Sequence, residues 1–300
     1  MEFAFAKGQK GLQSAGPPRI MFEATSDSLP PAHPNAPFKT WTSHSGASLI
    51  QTGTTDQSQA FDRITRQPRY RHFARIPARI VRCLDYFQVR GDRIAAARVL
   101  GAYYIFIGVV DNAIDSSEPQ AAAMVFKQLA GQSPISSSEV AIATEHLKQQ
   151  LDNQTATTLR NQLGLLYETV CQEPSAMSID EYLEVRKAVG RLTADLSYLL
   201  IRPLLDDEHQ TLRAFMQQVG AVGCLVDSVI DLRADQRRGL VGFTPTNRDY
   251  LKLWRATLLA GSSIGLKHPR LAGLFACAIL DNIRDRFISA SDSMNGKAAR

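Results

Sequence analysis

Three aspartates, Asp227, Asp231 and Asp235, recur every fourth residue in the run VDSVIDLRADQRRGL. On an α-helix such positions fall on nearly one line, drifting about 40° per step. Val219, Val222, Leu225, Val226, Val229, Ile230 and Leu232 fill the surrounding positions, so the spacing predicts a helix with an apolar body and one acidic stripe. Like charges four residues apart weaken a helix, so nothing in helix energetics favours the stripe. A second run, YYIFIGVVDNAIDSS, places Asp111 and Asp115 at the same spacing at the end of a hydrophobic stretch. There they oppose a helix macrodipole that is already negative, and an unpaired buried carboxylate is costly. Five acids so placed point to divalent metal. Magnesium accepts carboxylate oxygens and keeps positions for water and substrate phosphates. The plain alternative is a set of ionised, solvent-facing acids.

The remaining pattern is helical throughout, with no strand alternation and no internal repeat. Asp92 is placed to cap a helix over RIAAARVLGAYYIFIGVVDNAID, and Pro119 opens QAAAMVFKQLA, which stops at Gly131. Ser136 to Ser138 precede a long helical stretch that breaks near Asp152–Asn153. Ser178 followed by Glu181 reads as a capping box for IDEYLEVRKAVGRLTADLSYLLI, which Pro203 ends. Asp206 or Asp207 would cap the acid-bearing helix, and Gly239 would stop it. Two more helices are expected, around Arg248–Leu259 and Arg270–Ser289. The fold class is all-α: a disordered leader rich in Ser, Thr and Pro over residues 1–65, then one helical domain over 66–300.

The chain has 300 residues, 44% of them hydrophobic, with a net charge of +5. Nine arginines from Arg63 to Arg93 supply much of that charge, and Arg71, Arg75, Arg79 and Arg82 share a helical face. Such a face suits solvent, phosphates or peripheral membrane contact, and no recognition motif speaks for nucleic acid. Cys83, Cys171, Cys224 and Cys277 are scattered without metal spacing, as in a reduced cytoplasmic protein. No run of 18 or more apolar residues is expected to span a membrane, and MEFAFAKGQKG lacks the apolar core of a Sec-type signal. The leader also allows a secretion address. Cations flank the acids: Arg233, Arg237 and Arg238 follow the triplet, and Arg186, Lys187 and Arg191 lie on the Ser178 helix. Arg186 and Arg191 flank Gly190, where a ligand could approach the backbone.

At these residues the chain resembles the class I isoprenoid (terpenoid) synthase superfamily, closest to the squalene and phytoene synthases. RIAAARVLGAYYIFIGVVDNAID resembles the family's first aspartate-rich helix, and QVGAVGCLVDSVIDLRADQRRGLVGFTP its second. EYLEVRKAVGRLTADLSYLL is similar to the helix between them. The resemblance implies a helical bundle with a central cavity and three Mg2+ held with a bound diphosphate. Asp111 and Asp115 would hold metal from one wall, and Asp227, Asp231 and Asp235 from the other. It further implies departure of diphosphate from an allylic prenyl diphosphate, with Arg186, Arg191, Arg233 and Arg238 on the phosphates and Tyr104 and Tyr182 near the resulting cation. The reaction would be condensation of two prenyl chains or cyclisation of one. The triplet also has the spacing seen in terpene cyclases, and SIDEYLEVRK resembles the cyclase helix that bears a diphosphate-sensing arginine, which would be Arg186. Gly108-Val109-Val110 stands where the family usually carries an arginine. No nicotinamide-binding glycine motif appears, which speaks against a reductive step. Two other readings are a non-catalytic relative that binds a prenyl ligand or a protein, and a secreted helical interaction protein.

Overall fold

The structure is a computed structural model that describes residues 51–115, 125, 128–129, 138–281 and 284, with side chains from Gln57 onward except those of Ile114 and Asp115. The chain divides at Gly46, and every described residue belongs to the unit Ala47–Arg300. Eight helices have full bounds: α1 Gln51–Thr65, α2 Arg71–Tyr86, α3 Arg93–Asp115, α4 Glu139–Lys148, α5 Asn153–Val170, α6 Ile179–Ile201, α7 Gln210–Arg238 and α8 Asn247–Lys267. Residues 269–281 are also helical, and no strand occurs among the described residues. The all-α expectation therefore holds for the described chain. The expected helix after Pro119 lies mostly outside the described residues, although Val125, Gln128 and Leu129 are helical.

Helix α1 corrects the expected boundary of the leader. It ends at Thr65, and its Phe61 and Ile64 are buried in the main core. Its sequence, QTGTTDQSQAFDRIT, offers only those two large apolar residues, one turn apart, too few to give a visible period. Residues 1–50 lie outside the described residues. Two tertiary contacts hold α1 and the turn after it. Phe61 stacks on His146 of α4 at 3.7 Å, and Glu139 at the start of α4 accepts from Gln67, Arg69 and the Tyr70 hydroxyl.

The caps follow the sequence closely. Asp92 accepts from the Ala95 N–H, Ser138 from Ala141 and Asp152 from Thr155, so the break between α4 and α5 falls where expected. Gly239 adopts φ +75° at the end of α7, and the Leu240 N–H closes on the Asp235 carbonyl. Two expectations change. Ser178 accepts from the Glu181 N–H, but the Glu181 carboxylate reaches the Met177 N–H instead of that of Ser178. Helix α7 begins after His209 without a side-chain cap, so neither Asp206 nor Asp207 serves. The reciprocal capping box belongs to Thr246 and Asp249 at the start of α8.

Sequential helices pack together: α2 on α3, α5 on α6, α6 on α7 and α7 on α8, with α3 also meeting α4 and α6. Helix α3 is apolar almost all round because it is enclosed; Tyr103, Phe106 and Leu100 are buried within the core. By length and composition α3 and α7 are each apolar enough to cross a membrane, contrary to expectation; in the bundle both lie against neighbouring helices. Helices α6 and α7 cross at paired glycines. A Cβ on Gly190 would lie 2.2 Å from the Gly220 carbonyl oxygen, and one on Gly220 would lie 2.2 Å from the Gly190 oxygen. Beside this crossing Asp195 of α6 accepts both Nε and Nη2 of Arg213 and the amide of Gln217, all from α7.

Candidate functional site

The two acid motifs close α3 and the last turns of α7. Asp111 is exposed, and the side chain of Asp115 lies outside the described residues. Asp227, Asp231 and Asp235 are partly buried along one side of α7, while Leu225 and Leu232 on the other side are fully enclosed. The acidic stripe on an apolar helix is therefore present as expected.

Between α6 and α7 sits a buried cation. The Arg186 side chain is 19% exposed; its Nε donates to Ser228 Oγ at 2.9 Å and its Nη1 to Glu173 Oε1 at 2.9 Å. Ser228 also accepts from the Tyr182 hydroxyl at 3.2 Å and donates to the Cys224 carbonyl at 2.8 Å. A buried charge is tolerable only with such partners. Burial alone would lower the Arg186 pKa, but Cys224, Glu173, Tyr182 and Asp227 hold it well above the usual arginine value. The Cys224 thiol is pushed up to about 12, by burial first; Arg186 opposes the rise, and Asp227, Glu173 and Asp111 add to it. The Tyr182 hydroxyl, raised to about 12 chiefly by burial, also feels Arg186, Glu173 and Asp235.

Other candidate residues fall elsewhere. Arg186 and Arg191 do not form a pair, because five residues turn a helix through roughly 140°; Arg191 is exposed while Arg186 is enclosed. Gly190 is occupied by the α7 backbone and offers no room to a ligand. Arg233 is exposed and lies over the Tyr250 ring at 5.0 Å, and Arg238 is exposed at the end of α7. Tyr104 and Tyr182 are core residues with engaged hydroxyls: Tyr104 accepts from Ser197 at 2.9 Å, and Tyr182 is 1% exposed. Two concavities on the described surface, of about 440 Å³ beside Arg82 and Arg270 and about 380 Å³ beside Phe215 and His268, include no aspartate of either motif. Of the four-arginine face on α2, Arg75 and Arg79 pair with Asp281 at 3.8 and 2.7 Å.

Sequence reasoning missed Glu173, Ser228 and Cys224. Ser228 and Cys224 lie within the acid motif itself, one helical turn apart, but Glu173 sits in the turn before α6 with no periodic cue. The donor set is chemically suited to magnesium, being all carboxylate oxygen. Among the described residues no three His, Cys, Asp or Glu side chains converge on one point. No family model matches the chain, and neither does any curated protein or solved structure.

Proposed function

We propose that this chain is a magnesium-dependent enzyme that ionises an allylic prenyl diphosphate, in the manner of the squalene and phytoene synthases it resembles. One observation carries the reading: the enclosed Arg186 is held by Ser228, the residue after Asp227 on the acid-bearing helix α7. A buried cation against a helix that carries a carboxylate stripe suits a leaving group that is itself a polyanion. Asp111, Asp115, Asp227, Asp231 and Asp235 would hold Mg2+, which when bound would neutralise the departing diphosphate. Arg186 would offer phosphate oxygens the guanidinium N–H groups that Ser228, Glu173 and the Cys224 carbonyl do not take. Tyr182 would keep Ser228, and through it Arg186, in place. Whether two prenyl chains condense or one cyclises depends on what receives the allylic cation, and both outcomes share this first step.

The test incubates purified protein and Mg2+ with geranyl, farnesyl and geranylgeranyl diphosphates, then measures released diphosphate and analyses hydrocarbons by mass spectrometry. A thirty- or forty-carbon product establishes condensation, and a cyclic product of the starting chain length establishes cyclisation. Asp231→Asn should cut release at least about a hundredfold, the scale set by losing one main source of electrostatic stabilisation, with helical content unchanged. Absence of release from all three substrates would sink the enzyme reading. It would favour the second one, a non-catalytic member, which draws support from Asp111, Asp227, Asp231 and Asp235 each having a partner within the protein.

A further inference from the structure

Helix α8 is apolar on two opposite sides. One side, with Leu253, Thr257 and Ile264, is buried against the bundle. The other carries Leu251, Trp254, Leu258, Leu259 and Leu266, whose exposures run from 51% for Trp254 to 84% for Leu266. At 100° per residue these five occupy an arc of roughly 140°. A contiguous exposed apolar face marks an interaction surface, whereas scattered leucines would not.

The charges on this face decide its occupant. Exposed Arg248 and Arg255 project within the apolar arc, and Lys252 lies at its edge, reaching Asp180 of α6. The one acid of the helix, Asp249, lies on the far side and is spent in the capping box with Thr246. A two-fold pairing of α8 with its own copy would set arginine against arginine. An anionic bilayer surface meets the same pattern favourably: leucines and tryptophan enter the acyl boundary while arginines meet lipid phosphates. We infer that the outer face of α8 is a docking surface for anionic lipid bilayers, lying on the membrane without crossing it.

The surface is separate from the acid motifs and stands or falls independently of the proposed activity. The test is co-sedimentation of the full chain with vesicles of phosphatidylcholine alone and of phosphatidylcholine mixed with phosphatidylglycerol. Binding is expected to the mixed vesicles, weakening as salt rises. Leu251→Gln/Leu258→Gln should weaken it at least about tenfold, since two exposed leucines would lose their burial in the acyl region. Arg248→Gln/Arg255→Gln should weaken it about fivefold per arginine. All four positions are exposed, so unchanged thermal melts should accompany both losses. Asp231→Asn should bind vesicles as the wild type does, which separates this surface from the diphosphate site. The inference is overturned by absence of binding to mixed vesicles, or by binding that both double variants retain. Light scattering that finds a lipid-free dimer, which Leu251→Gln/Leu258→Gln converts to monomer, would overturn it as well.

Discussion

The Arg186 guanidinium is enclosed by three groups from two segments: Glu173 from the turn before α6, and Ser228 and the Cys224 carbonyl from α7. Its ion pair with Glu173 is well shielded, the two side chains being 19% and 15% exposed. Removing one partner of such a pair leaves a buried charge without compensation, which costs more than removing both. Arg186→Met is therefore expected to destabilise the chain by about 3–5 kcal/mol. The double substitution Arg186→Met/Glu173→Gln should recover part of that loss. Urea denaturation of the two single variants and the double variant gives the coupling directly. If the double variant is as unstable as the sum of the singles, the pair is not a coupled unit.

At the scale of elements, caps and stops were legible because each is a local event. Asp92, Ser138, Asp152 and Gly239 act within five residues of themselves, where sequence spacing is a faithful guide. The acidic stripe was legible for the same reason. The partner of Arg186 was not, since Glu173 joins it across a turn and through tertiary packing. Gly190 shows another limit. A glycine that admits a ligand and one that admits a neighbouring backbone look alike in sequence, since both merely lack a Cβ. Here the neighbour is Gly220, and a contrast within the bundle tests it. Gly190→Ala places a methyl 2.2 Å from a backbone oxygen that no rotamer change can move. It should cost at least about 1–3 kcal/mol through overpacking. Gly223→Ala, on the same α7 but with nothing within 4 Å of the new methyl, should instead stabilise by up to about 1 kcal/mol through helix propensity. Thermal melts that rank the two variants the other way would remove the glycine crossing from the account of how α6 and α7 meet.

For the molecule as a whole, acid should act first on the packing of α1 against α4. His146 stacks on Phe61, and burial lowers its pKa below the ordinary 6.5, with Asp62 opposing the shift. A histidine whose folded pKa is depressed binds more protons when unfolded, so its contribution to stability is lost as pH falls below about 6.5. The slope from one such proton is at most about 1.4 kcal/mol per pH unit. Carboxylates add a second window at lower pH. Burial raises the Glu139 pKa, but Gln67, Tyr70 and Arg69 together bring it below the usual glutamate value; Arg213 and Gln217 do the same for Asp195. Depressed carboxylate pKa values stabilise above the unfolded value and lose that stabilisation as pH falls through the folded one. Glu139 anchors the turn after α1, in the same region as His146, and Asp195 joins α6 to α7, so the second window reaches beyond the contact that the first one weakens. The melting temperature should therefore fall in two stages, the first beginning near pH 6.5 and the second near pH 4. His146→Phe keeps an aromatic ring against Phe61 while removing the proton site, so it should flatten the first stage and leave the second intact. Calorimetry of both proteins across that pH range checks this, and a first stage that survives in His146→Phe would assign the acid sensitivity to another group.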